Sequence, residues 1–357
     1  EVRLIELIKR IEKIIDNTDF ECIYNRKREL FSIGVYFDEN KNAKMSDGCY
    51  DLFMSEARTL SYIACSLRKV DIRHWQKLGR MLITSSGYIG LSSWTGTAFE
   101  YFMPPIFLPV YKGSLSYEAA GYAFLAQCER YAKNKVFGIS ESAYFSFDSN
   151  MNYAYKAFGI PKLGLKRGLE DDLVISPYSS YIAMCVNIRK PLLNLSKLSK
   201  LGMYGRYGFY EACDFTKSRT KDEYKIVKSY MSHHMGMSLA SLDNACFGNL
   251  MQKRFMHDAK ISCGYELLEE KIPVNAVIKK AAKTFTVQEK PQRNIYSEEK
   301  IYTDVFLDNP KMFSLSDGSL TALMSDCGHF SLMFKDIMPL QSSNELFFAG
   351  NNFSSFI

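Results

Sequence analysis

The sequence predicts a mainly α protein: an α/α toroid of helical hairpins, followed by the opening strands of a β-sandwich. Three observations predict it. Apolar residues recur with a period near 3.6 in nine separate stretches before residue 283. The linkers between them are rich in Gly, Ser and Tyr, and the loops that carry carboxylates fall at helix starts, as they would on one face of a ring. After Lys283 the pattern changes to short β-type runs.

Taken in order, VRLIELIKRIEKII sets Leu4, Leu7, Ile8, Ile11 and Ile15 on one stripe. LFMSEARTLSYIACSL repeats the pattern with Phe53, Ala57, Leu60, Ala64 and Leu67. Segments 73–83, 97–103, 116–133, 172–187, 191–201, 231–246 and 248–258 complete the helical set, with no internal repeat. The β-type runs are FTVQ, KMFSLS, SLTALMS and HFSLMFKD, with Asp317-Gly318 as a tight-turn signal between two of them. The expected domains are a catalytic ring over 1–283 and, over 284–357, a linker with the truncated start of a sandwich. So few strands would leave unpaired edges. The chain also opens on Glu1 rather than Met, so it is expected to belong to something longer.

Composition narrows the function. Apolar residues make up 47% and charged residues 24%, the balance of a folded globular protein. The net charge of +6 is thinly spread, and its densest runs, Arg26 to Arg28 and Lys279-Lys280 with Lys283, are short. A nucleic-acid partner is not expected, because such binders concentrate Lys and Arg on one face. Nine cysteines without a C-x-x-C pair read as reduced thiols and a cytoplasmic setting. No apolar run approaches the ~20 residues of a spanning helix, and no secretory signal is expected from this sequence.

Five blocks carry the chemistry: DGCYDLFMSEAR, WTGTAFEYFMP, GISESAY, KRGLEDDLVISPY and RYGFYEACDFT. Each sets carboxylates among Gly, Ser and aromatic residues, where a solvated acid would sit among other charges. Glycoside chemistry needs that combination, with carboxylates as acid, base or nucleophile and aromatic faces for sugar rings. Glu56 has small or apolar neighbours, and Glu141 lies in a loop beside Tyr144, Phe145 and Phe147. Glu170, Asp171 and Asp172 open a helix, where acids answer the dipole and the free amides. Glu211 and Asp214 sit in a Gly- and Tyr-rich loop, and Glu100 follows Trp94 and Phe99 and reads equally as a buried structural acid. His233 and His234 are adjacent, so on a helix they point about 100° apart and do not chelate together. No metal and no cofactor is called for. A Walker loop and a G-x-S-x-G elbow are both absent.

DLFMSEAR, WTGTAFEYFMP, GISESAY, AFGIPKLGLKRGLEDDLVISPY, GRYGFYEACDFT and SYMSHHMGMSL, in this order, resemble the glycoamylase-like domain of cyclic β-1,2-glucan synthases. The resemblance runs from about residue 25 to 272, and the tail resembles the start of the sandwich that follows in those proteins. It implies an (α/α)6 toroid and a retaining transglycosylase that closes linear β-1,2-glucan into a ring. A β-1,2-glucan hydrolase, or a binding module without catalysis, is the alternative. The resemblance implies Glu56 and Glu141 as the catalytic pair, with Glu141 as nucleophile, Glu56 as acid/base and exchange of roles left open. Glu211 is a further catalytic candidate. Asp51, Trp94, Glu100, Tyr144, Arg167, Asp171, Tyr207, Tyr210, His233 and His234 are implied to line sugar subsites. The partner implied is a β-1,2-linked glucan; membrane attachment would come only through the glucosyltransferase part of a full synthase, at the cytoplasmic face. One departure is visible: where the family reads HHQGM, this chain has Met235.

Overall fold

In a computed structural model, the structure describes residues 2–38, 41–85, 87–147, 152–169, 171–220, 223–281, 312–316, 319–325, 330–334 and 337–341. The chain divides into two units, Glu1–Ser146 with Tyr153–Thr286, and Phe147–Asn152 with Val287–Ile357. FTVQ and the Asp317-Gly318 turn lie outside the described residues.

The mainly α toroid expected from the sequence is overturned. Among the described residues, ten α-helices alternate with eighteen strands gathered into seven small sheets. Five of the helices run for only four to six residues, too short to pair as the hairpins of a ring. The reasons are local. In 172–187, Pro177 disfavours the helical region for Ser176. The chain therefore pairs Val174–Ile175 as a strand and turns helical only at Tyr178–Ile182. In 73–83 the helix stops at Lys77, and Leu82–Ser85 pairs with Tyr88–Leu91 instead. In 53–67 the amide of Phe53 donates to the Gly79 carbonyl at 3.0 Å, and Met54 bridges to Ser93. The helix there begins only at Arg58.

The first unit is organised around the helix Leu115–Glu129, which buries nearly its whole circumference. The strand Tyr88–Leu91 packs against it so tightly that a methyl group on Gly90 would lie 2.6 Å from Tyr122. Tyr62, Tyr101, Phe31, Phe53, Phe102 and Phe158 are fully buried, each contributing about 1.5–3 kcal/mol of burial. The two phenols are satisfied, Tyr62 donating to the Ile261 carbonyl at 2.8 Å and Tyr101 to that of Leu91 at 2.7 Å. Arg80 ties the far end of the unit down with two parallel hydrogen bonds to Glu270, both 2.8 Å. The helix Val2–Asp16 forms as its period predicts, but its stripe of Leu4, Ile8, Ile11 and Ile15 stays 46–61% exposed. No helix among the described residues is long and apolar enough to cross a membrane.

Three glycines set the loop that the site is built on. Gly96 adopts φ +76°, a conformation that favours glycine. A methyl on it would lie 2.7 Å from the Gly164 amide nitrogen, and one on Gly159 would lie 2.0 Å from the Thr95 carbonyl oxygen. This approach lets the amides of Ser93 and Leu165 pair with Leu163 and Ser93 at 3.0 Å. Gly159→Ala is expected to cost about 1–3 kcal/mol of stability by overpacking, read from urea unfolding. An unchanged midpoint would show that the loop yields freely.

In the second unit Met312–Ser316, Leu320–Ser325, Phe330–Phe334 and Ile337–Gln341 form an antiparallel meander in chain order. Leu323 and Ser331 are buried in it.

Candidate active site

Glu56 and Glu141 are both half-buried and lie within reach of each other's charge. Glu56 sits just before the helix Arg58–Ser66, where the Ser55 hydroxyl donates to its Oε2 at 3.2 Å. Burial raises its carboxyl. Its own amide lowers it, the Glu100 charge raises it, and the Ser55 and Tyr50 hydroxyls lower it again. The Tyr50 phenol is itself raised, by burial and then by Glu56 and Glu141.

Glu141 opens the strand Ser142–Phe147, and the turn before it is held on three sides. Gln127 clamps Ile139, accepting from its amide at 2.9 Å and donating to its carbonyl at 2.7 Å. A chain of donors then runs from the Phe99 amide to the Ser140 hydroxyl, on to the Tyr178 phenol, and finally to the Glu141 carbonyl. Among the described residues, no hydrogen bond engages the Glu141 carboxylate itself. Burial, then the charges of Glu56 and Glu100, push it up to about 7.

Glu100 is not open to a ligand. It is 5% exposed and closes a capping box with Thr97. Its oxygens accept from the Ser93 hydroxyl at 2.8 Å and from the amides of Thr97 and Thr95 at 2.9 and 3.0 Å. Its work is to hold the loop that carries Trp94. That indole is 47% exposed and donates to Asp51 at 2.6 Å. Arg167 lies on the next segment, where the Lys166 amide donates to the Trp94 carbonyl at 2.8 Å and Arg167 to that of Gly164 at 2.7 Å.

Glu211 is 4% exposed, at the edge of the sheet of Val174–Ile175, Ala212–Asp214 and Lys225–Val227. Both its oxygens face Nδ1 of His234, at 2.9 and 3.0 Å, and Oε1 also accepts from the Ala143 amide at 3.2 Å. The His234 ring, in the first turn of Ser232–Cys246, stacks on Tyr178 at 3.7 Å and 9°. The imidazole of His233 is lowered by partial desolvation and then by His234, 4.0 Å away, while the residue keeps an exposed surface. Among the described residues, no three His, Cys, Asp or Glu side chains gather as a metal site.

Tyr144 is half-buried over a charge network, with Arg219 4.8 Å and Lys156 5.1 Å from its ring. Arg219 binds the fully buried Asp214 at 2.8 Å and Asp172 at 2.5 Å, and Lys156 also contacts Asp172. Asp171 is exposed, and Glu170 lies outside the described residues. Tyr207 and Tyr210 flank Tyr230, at 5.7 and 5.4 Å, on the hairpin Tyr204–Gly205 and Gly208–Phe209. Met235 packs at this hairpin, where a methyl on Gly208 would lie 3.4 Å from its terminal carbon.

The structure thus gathers Glu56, Glu141 and Tyr50 around one set of charges. It links Glu141 through Tyr178 to His234 and Glu211. Residues 55–259 match the model of the family described as “Putative glucoamylase”. The chain belongs to this glycoamylase family.

Over 330 residues this family member is 32% identical to the cyclic β-(1,2)-glucan synthase NdvB of Rhizobium meliloti (strain 1021). That match covers 91% of the chain and spans 12% of the relative's length. A crystal structure of a “putative glucoamylase” from Bacteroides caccae matches with a TM-score of 0.53 at 14% identity. It covers 73% of this chain and 64% of that one, a likeness of fold. The family match takes in Glu56, Glu141, Glu211 and both histidines, while Tyr50 and Asp51 lie just before it.

Sequence reasoning passed over Tyr50, Tyr155 and Tyr178. The first lies one residue before Asp51. Tyr155 lies in NYAYK, whose alternation with Tyr153 is a strand signal. Tyr178 follows Pro177 at the start of a short helix, and no local pattern marks it.

Proposed function

We propose that this protein is a retaining transglycosylase acting on linear β-1,2-glucan and closing it into a ring. The observation that carries the reading is the pair Glu56 and Glu141: two half-buried carboxyls, each in the other's field, with one pushed up to about 7. Retaining glycoside chemistry needs one ionised and one protonated carboxyl at the same time. The similarity to NdvB supports β-1,2-glucan as the substrate.

Glu141 is the nucleophile in this reading, because its oxygens are free of hydrogen bonds among the described residues. Glu56 is the acid/base in this reading, held in place by the Ser55 and Tyr50 hydroxyls that donate to it. In this reading the pair shares one proton: Glu141, raised to about 7, can hold it, and the productive arrangement carries it on Glu56. Both arrangements hold one proton, so they rise and fall together with pH. Trp94, held by Asp51, supplies an exposed face for a sugar ring. Arg167, Tyr207 and Tyr210, with Tyr144, Asp171 and His233, are proposed as further subsite groups.

The pH dependence follows. The pair loses its last proton as pH rises through about 7, so kcat/KM should fall about tenfold per unit above that point. A flat profile from pH 6 to 9 would remove the shared proton from the account. The substrate reading is tested by incubating the protein with β-1,2-, β-1,3- and β-1,4-glucans, beside the Glu56→Gln, Glu141→Gln double variant. Conversion of the β-1,2-glucan alone, lost in the variant, is the expected result. No conversion of any glucan by the parent would point to a binding module.

A further inference from the structure

Glu211 and His234 form a buried hydrogen-bonded pair that the two catalytic roles do not use. The Glu211 carboxylate can only accept, so the proton on Nδ1 of His234 is fixed toward it. That leaves Nε2 as an acceptor, and the hydroxyl facing it is Tyr155, at 3.5 Å. The two rings are 6.2 Å apart at 31°. Stacking on Tyr178 prevents the imidazole from turning. Tyr178 in turn donates to the Glu141 carbonyl at 3.0 Å, which ties the imidazole to the turn that carries the nucleophile.

Tyr155 is different in kind from its two supports. Glu211 and His234 are 4% and 3% exposed, whereas Tyr155 is 42% exposed. It feels the charge of Glu141 as well as that of Glu211, and burial of its hydroxyl and these charges raise the phenol, which stays protonated. With its proton directed to His234, the phenol oxygen presents its lone pairs outward.

We propose that Tyr155 is a substrate-contacting specificity residue: Glu211 and His234 orient its hydroxyl so that the oxygen accepts a hydrogen bond from a sugar hydroxyl next to Glu141. Glu211 is then a positioning residue, acting through His234. This rests on the reading of Glu141 as a catalytic carboxyl. It gives the site a means of holding a sugar, rather than water, beside the glycosyl-enzyme.

Two measurements test it, and they fail separately. On β-1,2-gluco-oligosaccharides, Tyr155→Phe should lower kcat/KM roughly tenfold or more, since one oriented hydrogen bond is lost. Glu211→Gln should lower it about fivefold or more in the parent and no more than about twofold in Tyr155→Phe, because both act through one bond. Melting curves show that the variants fold. Equal losses in both backgrounds, or a Tyr155→Phe protein within about twofold of the parent, would overturn the proposal. The second arm needs no turnover. The 15N spectrum of the histidines, with His234 identified by its loss in His234→Gln, should show His234 as the Nδ1–H tautomer. Its Nε2 signal should move in Tyr155→Phe. An Nε2 signal indifferent to Tyr155 would also overturn the link. A parent that converts no glucan but shows the Nε2 response keeps the orienting link and removes only the glucan reading.

Discussion

Glu141→Gln should abolish transfer and hydrolysis together, with a rate loss of about four orders of magnitude or more and a near-native melting temperature. An amide cannot form the covalent glycosyl ester, and the substitution is isosteric, so packing around the Gln127 clamp is untouched. Glu56→Gln should retain more activity on substrates with good leaving groups, which need little protonation. Azide separates the roles. With Glu141→Gly it should restore turnover and give a glycosyl azide of inverted configuration; with Glu56→Gly the azide product should keep the configuration. The opposite pairing would exchange the two roles while leaving the pair in place. A Glu141→Gln protein within about tenfold of the parent would remove Glu141 from catalysis.

Arg219→Met should be the most damaging of the changes away from the carboxylate pair. Asp214 is 0% exposed and accepts from Arg219 Nε at 2.8 Å and Nη2 at 3.2 Å. The amides of Phe145 and Thr216 complete its shell at 3.1 and 2.9 Å. Removing the guanidinium leaves a buried charge with its counter-ion gone, at a cost of about 3–5 kcal/mol. Asp172 loses the same partner, and Tyr144 loses the cation under its ring. Urea unfolding measures the effect. A loss below about 1 kcal/mol would mean that Asp214 takes up a proton or a new donor at little cost. Arg219→Lys should recover only part of the stability, because an ammonium cannot serve Asp214, Asp172 and Thr216 at once.

The sequence makes Glu56 and Glu141 visible because a carboxylate among Ser, Ala and aromatic residues is out of place on a solvated face. It does not show what each polar neighbour does. Glu100 looks like a cleft acid in WTGTAFEY, yet the same letters contain Thr97 three residues before it, and the capping box uses up its oxygens. Glu211 and His234 are 23 residues apart and meet only because a short sheet edge is set against a helix start. No spacing rule anticipates that contact. The helical period marks where helices lie, but not how far they extend. At Pro177, and at the Leu82–Ser85 pairing, tertiary hydrogen bonds claim residues that periodicity assigns to helix. That is how a chain read as a ring of hairpins contains seven small sheets among its described residues. Gly159 shows the same limit from the other side. Its need for a bare backbone comes from Thr95, 64 positions away, and not from its own neighbours.

The central claim, that this site cuts and rejoins β-1,2-glucan, is tested most directly by the mass of its products. Purified protein is incubated with linear β-1,2-glucan and the products are resolved by mass spectrometry. The account predicts rings, each lighter by one water molecule than the linear chain of equal length, with none formed by Glu141→Gln. Only linear fragments, each carrying an added water, would contradict transfer and make the protein a hydrolase.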